Sequence, residues 1–266
     1  MGAEGETMKR VLLNQIPEEI PERLEKLLYS AKVYDSSSSP EAKVYFIDKD
    51  GGYFLKRAAK ESLRQEAQMT EYFHKKKLAT AVLDYFTDGY DWLLTEKVPG
   101  EDCIHRMHLD DPVRLCDTLA ELLRKLHEED YGGCPVMNHT ERYLQTVEQV
   151  YHEKRAQRSP EHKGFASVEE AYREVQRNKM YLKTDTLLHG DYCLPNIILN
   201  QWKFSGFIDV DHGGVGDRHV DLYWGLWSLN FNLKTDRYRQ RFLDAYGRDK
   251  VNEDALRVIA AAEVFG

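Results

Sequence analysis

The run Val98-Pro99-Gly100 divides this chain into two parts whose hydrophobic patterns differ. Before it, short stretches alternate between apolar and polar residues, as half-buried strands do, and turn residues such as Asp88-Gly89 separate them. After it, apolar residues recur at helical spacing through most of the sequence. The pattern predicts an α+β fold with a small sheet-containing first part, residues 1–97, and a larger, mainly helical second part, residues 98–266.

A β-hairpin is predicted around Lys49-Asp50-Gly51-Gly52. Residues 42–47 alternate like a strand and residues 53–56 return after the turn, whose residues tolerate the positive φ that a tight connection needs. The other elements predicted in the first part are a helix over 58–75 and two strands, 81–86 and 92–97.

Helices dominate the second part. The periodic segments predict them at about 111–128, 139–156, 167–182, 218–231, 234–246 and 250–265. Near the start of the 218–231 segment, Asp221 is interpreted as a carboxylate that braces a loop or a helix N-terminus. The aromatic residues that follow it, Tyr223, Trp224 and Trp227, are interpreted as core.

Two carboxylates and an amide in the second part carry the chemistry. Asp191 lies five residues before Asn196, in the run His189-Gly190-Asp191-Tyr192-Cys193-Leu194-Pro195-Asn196, and Asp209 follows the apolar run 204–208, a predicted strand. In protein-kinase catalytic loops with this spacing, the Asp orients the nucleophile, while the Asn and a later Asp hold the Mg²⁺ of the nucleotide. The residues therefore predict phosphoryl transfer. A strand-turn-strand unit in which both Asp residues only cap backbone N–H groups is the alternative.

A lysine and a glutamate in the first part fit the same chemistry. Lys56 ends a predicted strand and Glu66 lies ten residues later in the following helix, so the two can meet and leave the lysine to neutralise nucleotide phosphates. An ordinary surface lysine is the other interpretation. The chain has neither a G-x-x-x-x-G-K-[ST] nor a G-x-G-x-x-G phosphate loop. Instead Ser38 and Ser39, in the serine-rich turn 36–40, could donate hydroxyl and N–H groups to phosphate, unless the turn is merely a flexible loop.

Together these segments resemble the aminoglycoside 3'-phosphotransferase family. The resemblance rests on residues 188–197, 204–209 and 216–221, and extends from Ser39 to Phe265. It implies a bilobal, protein-kinase-like fold with nucleotide-binding (1–97) and catalytic (98–266) lobes. It also implies an Mg²⁺-dependent cytoplasmic kinase that transfers the γ-phosphoryl group of ATP or GTP to the 3'-hydroxyl of an aminoglycoside, giving antibiotic resistance.

The resemblance also assigns roles to individual residues. Asp191 is the catalytic residue and contacts the substrate, and Asn196 and Asp209 bind the metal. Phe54 stacks on the base, whose edge is read by backbone groups of the hinge from Thr95 to Lys97. Near the end of the chain, Glu263 and Phe265 match residues that bind the amino sugar.

Three departures from the family concern the acceptor. Ala262 stands where the family has an acidic residue, and Asp211 and His212 change the charge beside the metal site. The segment 152–163 carries four Lys or Arg against two Glu, a net charge of +2 where the family is usually acidic. Another small alcohol, such as choline, a macrolide or a metabolite, is therefore the alternative acceptor. A nucleotide-binding module without activity is the non-enzyme alternative.

Charge and composition limit the partners. A net charge of −8 disfavours nucleic acid and suits a cationic substrate. No run reaches the ~18 apolar residues of a membrane helix, and residues 1–10 have no apolar signal-peptide core. The four cysteines have neither C-x-x-C pairs nor framework spacing, which predicts free thiols. We therefore expect a cytoplasmic monomer whose partners are a nucleotide and a small amino sugar.

Overall fold

The computed structural model describes residues 10–17, 19–38, 40, 42–156, 159 and 163–266. The chain divides into two compact units, one formed by Met1–Met107 with Pro195–Asp211 and the other by His108–Leu194 with His212–Gly266. Across the described ranges, no helix combines the length and the apolar character needed to cross a membrane.

Strands and helices follow the predicted order. The strands are β1 (Val11–Leu12), β2 (Lys32–Asp35), β3 (Ala42–Asp48), β4 (Tyr53–Ala58), β5 (Val82–Asp88), β6 (Tyr90–Glu96), β7 (Glu101–Asp102), β8 (Thr186–Leu188), β9 (Ile197–Asn200), β10 (Lys203–Phe207) and β11 (Gly214–Gly216). The helices are α1 (Glu25–Leu28), α2 (Arg64–Lys75), α3 (Arg106–Leu109), α4 (Pro112–His127), α5 (His139–His152), α6 (Val168–Asn178), α7 (His219–Leu233), α8 (Arg239–Tyr246) and α9 (Glu253–Ala262). The predicted α+β fold is confirmed.

The first unit is built on a six-stranded sheet in the order β1-β2-β3-β4-β6-β5. The predicted hairpin joins β3 to β4, and its turn residues Asp50, Gly51 and Gly52 have φ of 48°, 99° and 102°. Because side chains alternate across a strand, one face carries core residues such as Ile47 and Leu55. Phe54 and Lys56 lie on the opposite face of β4.

Helix α2 begins at Arg64, so the predicted start at residue 58 is wrong. Strand β4 runs to Ala58, and Glu61 takes a left-handed φ of 68° that interrupts a right-handed helix. The buried carboxylate of Asp91 accepts a hydrogen bond from the backbone N–H of Leu63 at 3.1 Å, immediately before the helix. This fixes where α2 starts, and therefore where Glu66 lies.

A smaller sheet, in the order β10-β9-β7, explains why Pro195–Asp211 belongs to the first unit. Strand β9 pairs with β7, and Phe207 at the end of β10 forms a parallel bridge with Ala79. This grouping differs from the sequence ranges 1–97 and 98–266, which as functional lobes stay a prediction.

Long helices form the second unit. Helix α4 is capped by Asp111, whose side chain accepts from the backbone N–H of Arg114 at 3.2 Å, and Pro112 occupies its first position. Its buried face carries Leu115, Leu119 and Leu123. Strands β8 and β11 pair antiparallel, with Leu188 opposite Gly214, and β8 leads directly into the segment that contains Asp191.

Candidate active site

A cavity of about 710 Å³ in the first unit collects most of the residues predicted to bind nucleotide. Those that line it are Ser38, Phe54, Lys56, Glu66, Thr95, Lys97 and Asp209. Ser39 lies outside the described residues. Phe54 and Thr95 are direct partners across the β4–β6 ladder, so the proposed stacking residue lies beside the proposed hinge.

Lys56 lies between two carboxylates. Its Nζ atom is 2.7 Å from Glu66 Oε2 and 3.4 Å from Asp209 Oδ1, so the expected contact with Glu66 is observed. Burial acts to lower the pKa of Lys56, but the negative charges of Asp209 and Glu66 outweigh it and raise that pKa above its ordinary value. Burial also raises the pKa of Glu66, against the opposing charge of Lys56. With its side chain 22% exposed, Lys56 is a charged cavity residue and not an ordinary surface lysine.

The two predicted metal ligands lie on adjacent chain segments. The backbone N–H of Ile208, the residue before Asp209, donates to the carbonyl of Asn196 at 3.0 Å. Asp209 has a left-handed φ of 53°, which is uncommon for a residue other than glycine, and such strain concentrates at functional sites. Its side chain is 53% exposed.

The donor set fits Mg²⁺, which prefers oxygen ligands and usually takes one or two carboxylates together with waters and substrate phosphates. Among the described residues, no group of three or more His, Cys, Asp or Glu side chains forms a complete metal site. Asp209 and Asn196 therefore suit a metal that is shared with a bound nucleotide.

Helix α2 contacts the Asp209 segment a second time, through a residue that the sequence analysis missed. Gln65 Nε2 donates to the carbonyl of Asp211 at 2.5 Å. Consecutive residues of α2 thus reach this segment, Gln65 directly and Glu66 through Lys56. No motif marks Gln65, because a side chain that binds a carbonyl group needs no particular partner residue.

Asp191 lies in the second unit, on the turn after β8. Its backbone N–H donates to His189 Nδ1 at 3.3 Å, and its carbonyl accepts from the backbone N–H of Cys193 at 2.7 Å. The side chain of Asp191 is partly exposed. The turn therefore holds the backbone of Asp191 while its carboxylate remains reachable.

Asp221 on α7 braces this turn, as the sequence interpretation suggested. Its carboxylate accepts backbone N–H groups of His189 and Gly190, both at 2.8 Å, and lies 3.1 Å from His127 Nε2. Burial acts to raise the pKa of Asp221, but the hydrogen bond and charge of His127, together with the charge and backbone N–H of His189, hold it below its usual range. The hydroxyl oxygen of Tyr246 lies 2.8 Å from the other ring nitrogen of His127, Nδ1. His127 was missed because it meets Asp221 only in the folded chain.

Two of the residues predicted to bind the amino sugar, Glu263 and Phe265, are buried in the second unit. Tyr143 donates its hydroxyl to Glu263 Oε1 at 2.7 Å. Phe265 packs edge-on against Tyr151 and Tyr172, at 6.1 and 6.2 Å between ring centroids. The structure shows packing roles for Glu263 and Phe265, and their contact with a substrate stays a prediction.

Comparisons with known proteins identify relatives of this chain. A protein of Lactococcus lactis subsp. lactis (strain IL1403) named "Probable aminoglycoside 3'-phosphotransferase" is 52% identical over 94% of this chain and 96% of its own. A crystal structure of an aminoglycoside-3'-phosphotransferase of type VIII superposes with a TM-score of 0.69 at 26% identity, covering 87% of this chain and 91% of the other.

A third match is to the aminoglycoside phosphotransferase APH(3'')-Id from Streptomyces rimosus, in complex with ADP and streptomycin. It has a TM-score of 0.67 at 19% identity and covers 84% of this chain and 90% of the other, so it bears on the fold alone. The family model described as "Phosphotransferase enzyme family" matches residues 32–259. This chain therefore belongs to the phosphotransferase enzyme family.

Proposed function

We propose that this protein is a kinase that transfers the γ-phosphoryl group of ATP to the 3'-hydroxyl of an aminoglycoside, which gives antibiotic resistance. The observation that carries the proposal is the position of Lys56, paired with Glu66 and beside Asp209 in one cavity. Such an arrangement neutralises nucleotide phosphates next to a metal-binding carboxylate. The name of the Lactococcus lactis relative supports the acceptor class.

The donor half of the reaction is assigned to the first unit. Lys56 holds the phosphates and Glu66 fixes the lysine, while Phe54 stacks on the base beside Thr95. Asn196 and Asp209 would hold Mg²⁺, which would neutralise negative charge on the phosphates. Backbone recognition of the base admits either ATP or GTP.

The acceptor half is assigned to Asp191. Its carboxylate orients the substrate hydroxyl and accepts the proton late, because a loose phosphoryl-transfer transition state needs little help from a base. Asp221 acts through the backbone of the turn, since it contacts His189 and Gly190 and not the carboxylate of Asp191. It is therefore a positioning residue.

The proposal extends to the setting of the enzyme. The net charge of −8 favours a polycationic amino sugar over nucleic acid. The four cysteines are buried as free thiols, which suits a reducing compartment. We infer a cytoplasmic monomer that acts on a soluble substrate.

A substrate panel tests the function. The purified protein is given ATP or GTP with Mg²⁺ and, in turn, kanamycin-type and neomycin-type aminoglycosides, choline and a macrolide, with coupled detection of the nucleoside diphosphate. We expect turnover with at least one aminoglycoside, and phosphate on its 3' oxygen by NMR. The Asp191→Ala protein, purified in parallel, reports contaminating kinases. The proposal would be contradicted by turnover confined to choline or the macrolide, or by turnover no higher than that of the Asp191→Ala protein.

A further inference from the structure

Helix α7 carries three aromatic side chains that are interpreted as core from the sequence, and two of them, Tyr223 and Trp224, pack against a buried apolar cluster. Trp227 is 41% exposed, and Tyr223 and Trp224 are only partly buried. The rings of Tyr223 and Trp224 lie 5.5 Å apart at 82°, and those of Trp224 and Trp227 lie 5.4 Å apart at 82°. Successive rings thus stand nearly perpendicular, like the walls of a box. We call these three residues the α7 cage.

The ammonium group of Lys163 lies near all three aromatic side chains. Its Nζ atom is 5.0 Å from the ring centroid of Tyr223, 5.7 Å from that of Trp224 and 5.9 Å from that of Trp227. It donates a hydrogen bond to the hydroxyl of Tyr223 at 2.5 Å, so it lies at the hydroxyl edge of that ring and over the two indole rings. Ring faces within about 6 Å attract a cation, and aromatic cages are a recurring way in which proteins bind quaternary ammonium ligands. In this structure the chain supplies the ammonium group itself.

The cage opens on a larger cavity. Lys163, Tyr223 and Trp227 line a space of about 500 Å³ in the second unit, together with two carboxylates, Asp236 and Glu253, and two arginines, Arg239 and Arg257. Glu253 pairs with Arg239 at 2.7 Å, so the charges of these four residues balance and the aromatic rings are the feature that favours a cation. The volume of the cavity exceeds what one lysine head group needs, so it has room for an amine-bearing ligand.

The cage does not coincide with the residues that brace the catalytic turn. On α7, Asp221 binds the turn, Ser228 Oγ accepts from the backbone N–H of Leu194, and Gly225 packs against Tyr192. At about 100° per residue, the cage faces roughly 120° away around the same helix. A ligand in the cage would leave these bracing contacts intact.

We propose that the α7 cage is a binding site for organic ammonium ions, and that Lys163 occupies it as an internal substitute which an external amine displaces. The cage accommodates the ammonium group of Lys163, one of the four Lys or Arg residues in the segment 152–163. That the displacing amine belongs to the acceptor rests on the proposed function. The existence of the site does not.

The test uses n-butylammonium, which reproduces the lysine side chain as a free ion. Binding to the full-length protein is followed by saturation-transfer NMR. In Lys163→Ala the internal competitor is gone, so we expect a Kd about 3- to 30-fold lower than in the original protein, the range that corresponds to one cation–π contact. Adding Trp227→Leu to Lys163→Ala should abolish the gain. The control Lys179→Ala, which removes a lysine bound to Gln176 Oε1, should behave like the original protein.

Two results would overturn the proposal: equal Kd values for the original protein and Lys163→Ala, or binding to Lys163→Ala that Trp227→Leu does not weaken. Melting temperatures verify that each variant is folded, and Lys163→Gln replaces Lys163→Ala should the alanine variant not fold. The measurement needs neither nucleotide nor acceptor. A failed substrate panel with normal n-butylammonium binding would therefore contradict the proposed function alone, and the reverse result would contradict the cage alone.

Discussion

Gly190 packs against the carbonyl group of His212 so closely that a Cβ atom at Gly190 would lie 2.0 Å from that oxygen. Gly190 also has φ of 87°, which side chains rarely adopt. We expect Gly190→Ala to lower the free energy of unfolding by more than the ~1–3 kcal/mol of backbone strain alone. Urea denaturation measures the loss. Gly133→Ala is the matched control, because Gly133 has φ of 75° but a Cβ atom there would meet nothing within 4 Å; equal losses in the two variants would contradict the steric explanation.

Sequence reasoning succeeded where chemistry and chain spacing coincide. Lys56 reaches Glu66 from an adjacent strand and helix, so a spacing of ten residues in the sequence already implies the contact. It failed where the partner is distant along the chain. His127 meets Asp221 across 94 residues, and the steric need for Gly190 comes from His212.

The pattern of apolar residues also could not separate burial from exposure on α7. Trp227 follows helical periodicity like a core residue but is 41% exposed, and the side chains at its ring are Lys163 and Phe231, which is itself 55% exposed. The start of α2 was placed too early for a related reason. Propensity favours helix from residue 58, but pairing in β4 and the Asp91 cap decide the boundary.

Replacing Asp221 by Asn should disable the turn that holds Asp191. An amide presents one oxygen to donors that now share a carboxylate, and its NH₂ group would face N–H donors. Leaving buried groups unsatisfied costs about 1–3 kcal/mol, so we expect lower stability by urea denaturation and lower kcat, with an unchanged KM for nucleotide. Asp244→Asn removes an exposed carboxylate paired with Arg248 and should change little. Unchanged kcat in Asp221→Asn would refute the positioning role.

His139 should make stability depend on pH. Burial lowers the pKa of its ring from 6.5 to about 4, against the smaller effect of Asp221. Between pH 4 and pH 6.5 the unfolded chain therefore binds more protons than the folded protein. The contribution of His139 to the free energy of unfolding is fully present above pH 6.5 and falls by up to about 3 kcal/mol as the pH is lowered towards 4. We expect unfolding curves for His139→Gln to show a shallower pH dependence in this window. His152→Gln, at a position whose side chain is 69% exposed, serves as the control; parallel pH profiles for His139→Gln and the original protein would rule out the effect.

Asp191→Asn should separate chemistry from nucleotide binding. The substitution keeps the shape of the side chain but removes the group that accepts the hydroxyl proton, which typically costs about 10²–10⁴ in rate. The cavity that carries Lys56 and Phe54 is built without Asp191, so calorimetry should give a nearly unchanged affinity for ADP with Mg²⁺. Comparable turnover by the variant would show that Asp191 has another role.

Asp209→Asn should remove the dependence of nucleotide binding on metal. In the original protein we expect Mg²⁺ to strengthen ADP binding, because Asp209 would hold an ion whose charge offsets that of the phosphates. The variant should lose at least the roughly tenfold effect that even an outer-sphere metal partner contributes. In EDTA, which removes the metal, we expect the substitution to leave the affinity for ADP unchanged or to raise it. The variant lacks the negative charge 3.4 Å from Lys56 Nζ, so the phosphates meet less repulsion. Calorimetry with and without Mg²⁺ measures both effects, with Asp48→Asn on the exposed end of β3 as the control. A full Mg²⁺ response in Asp209→Asn would assign the metal to other residues.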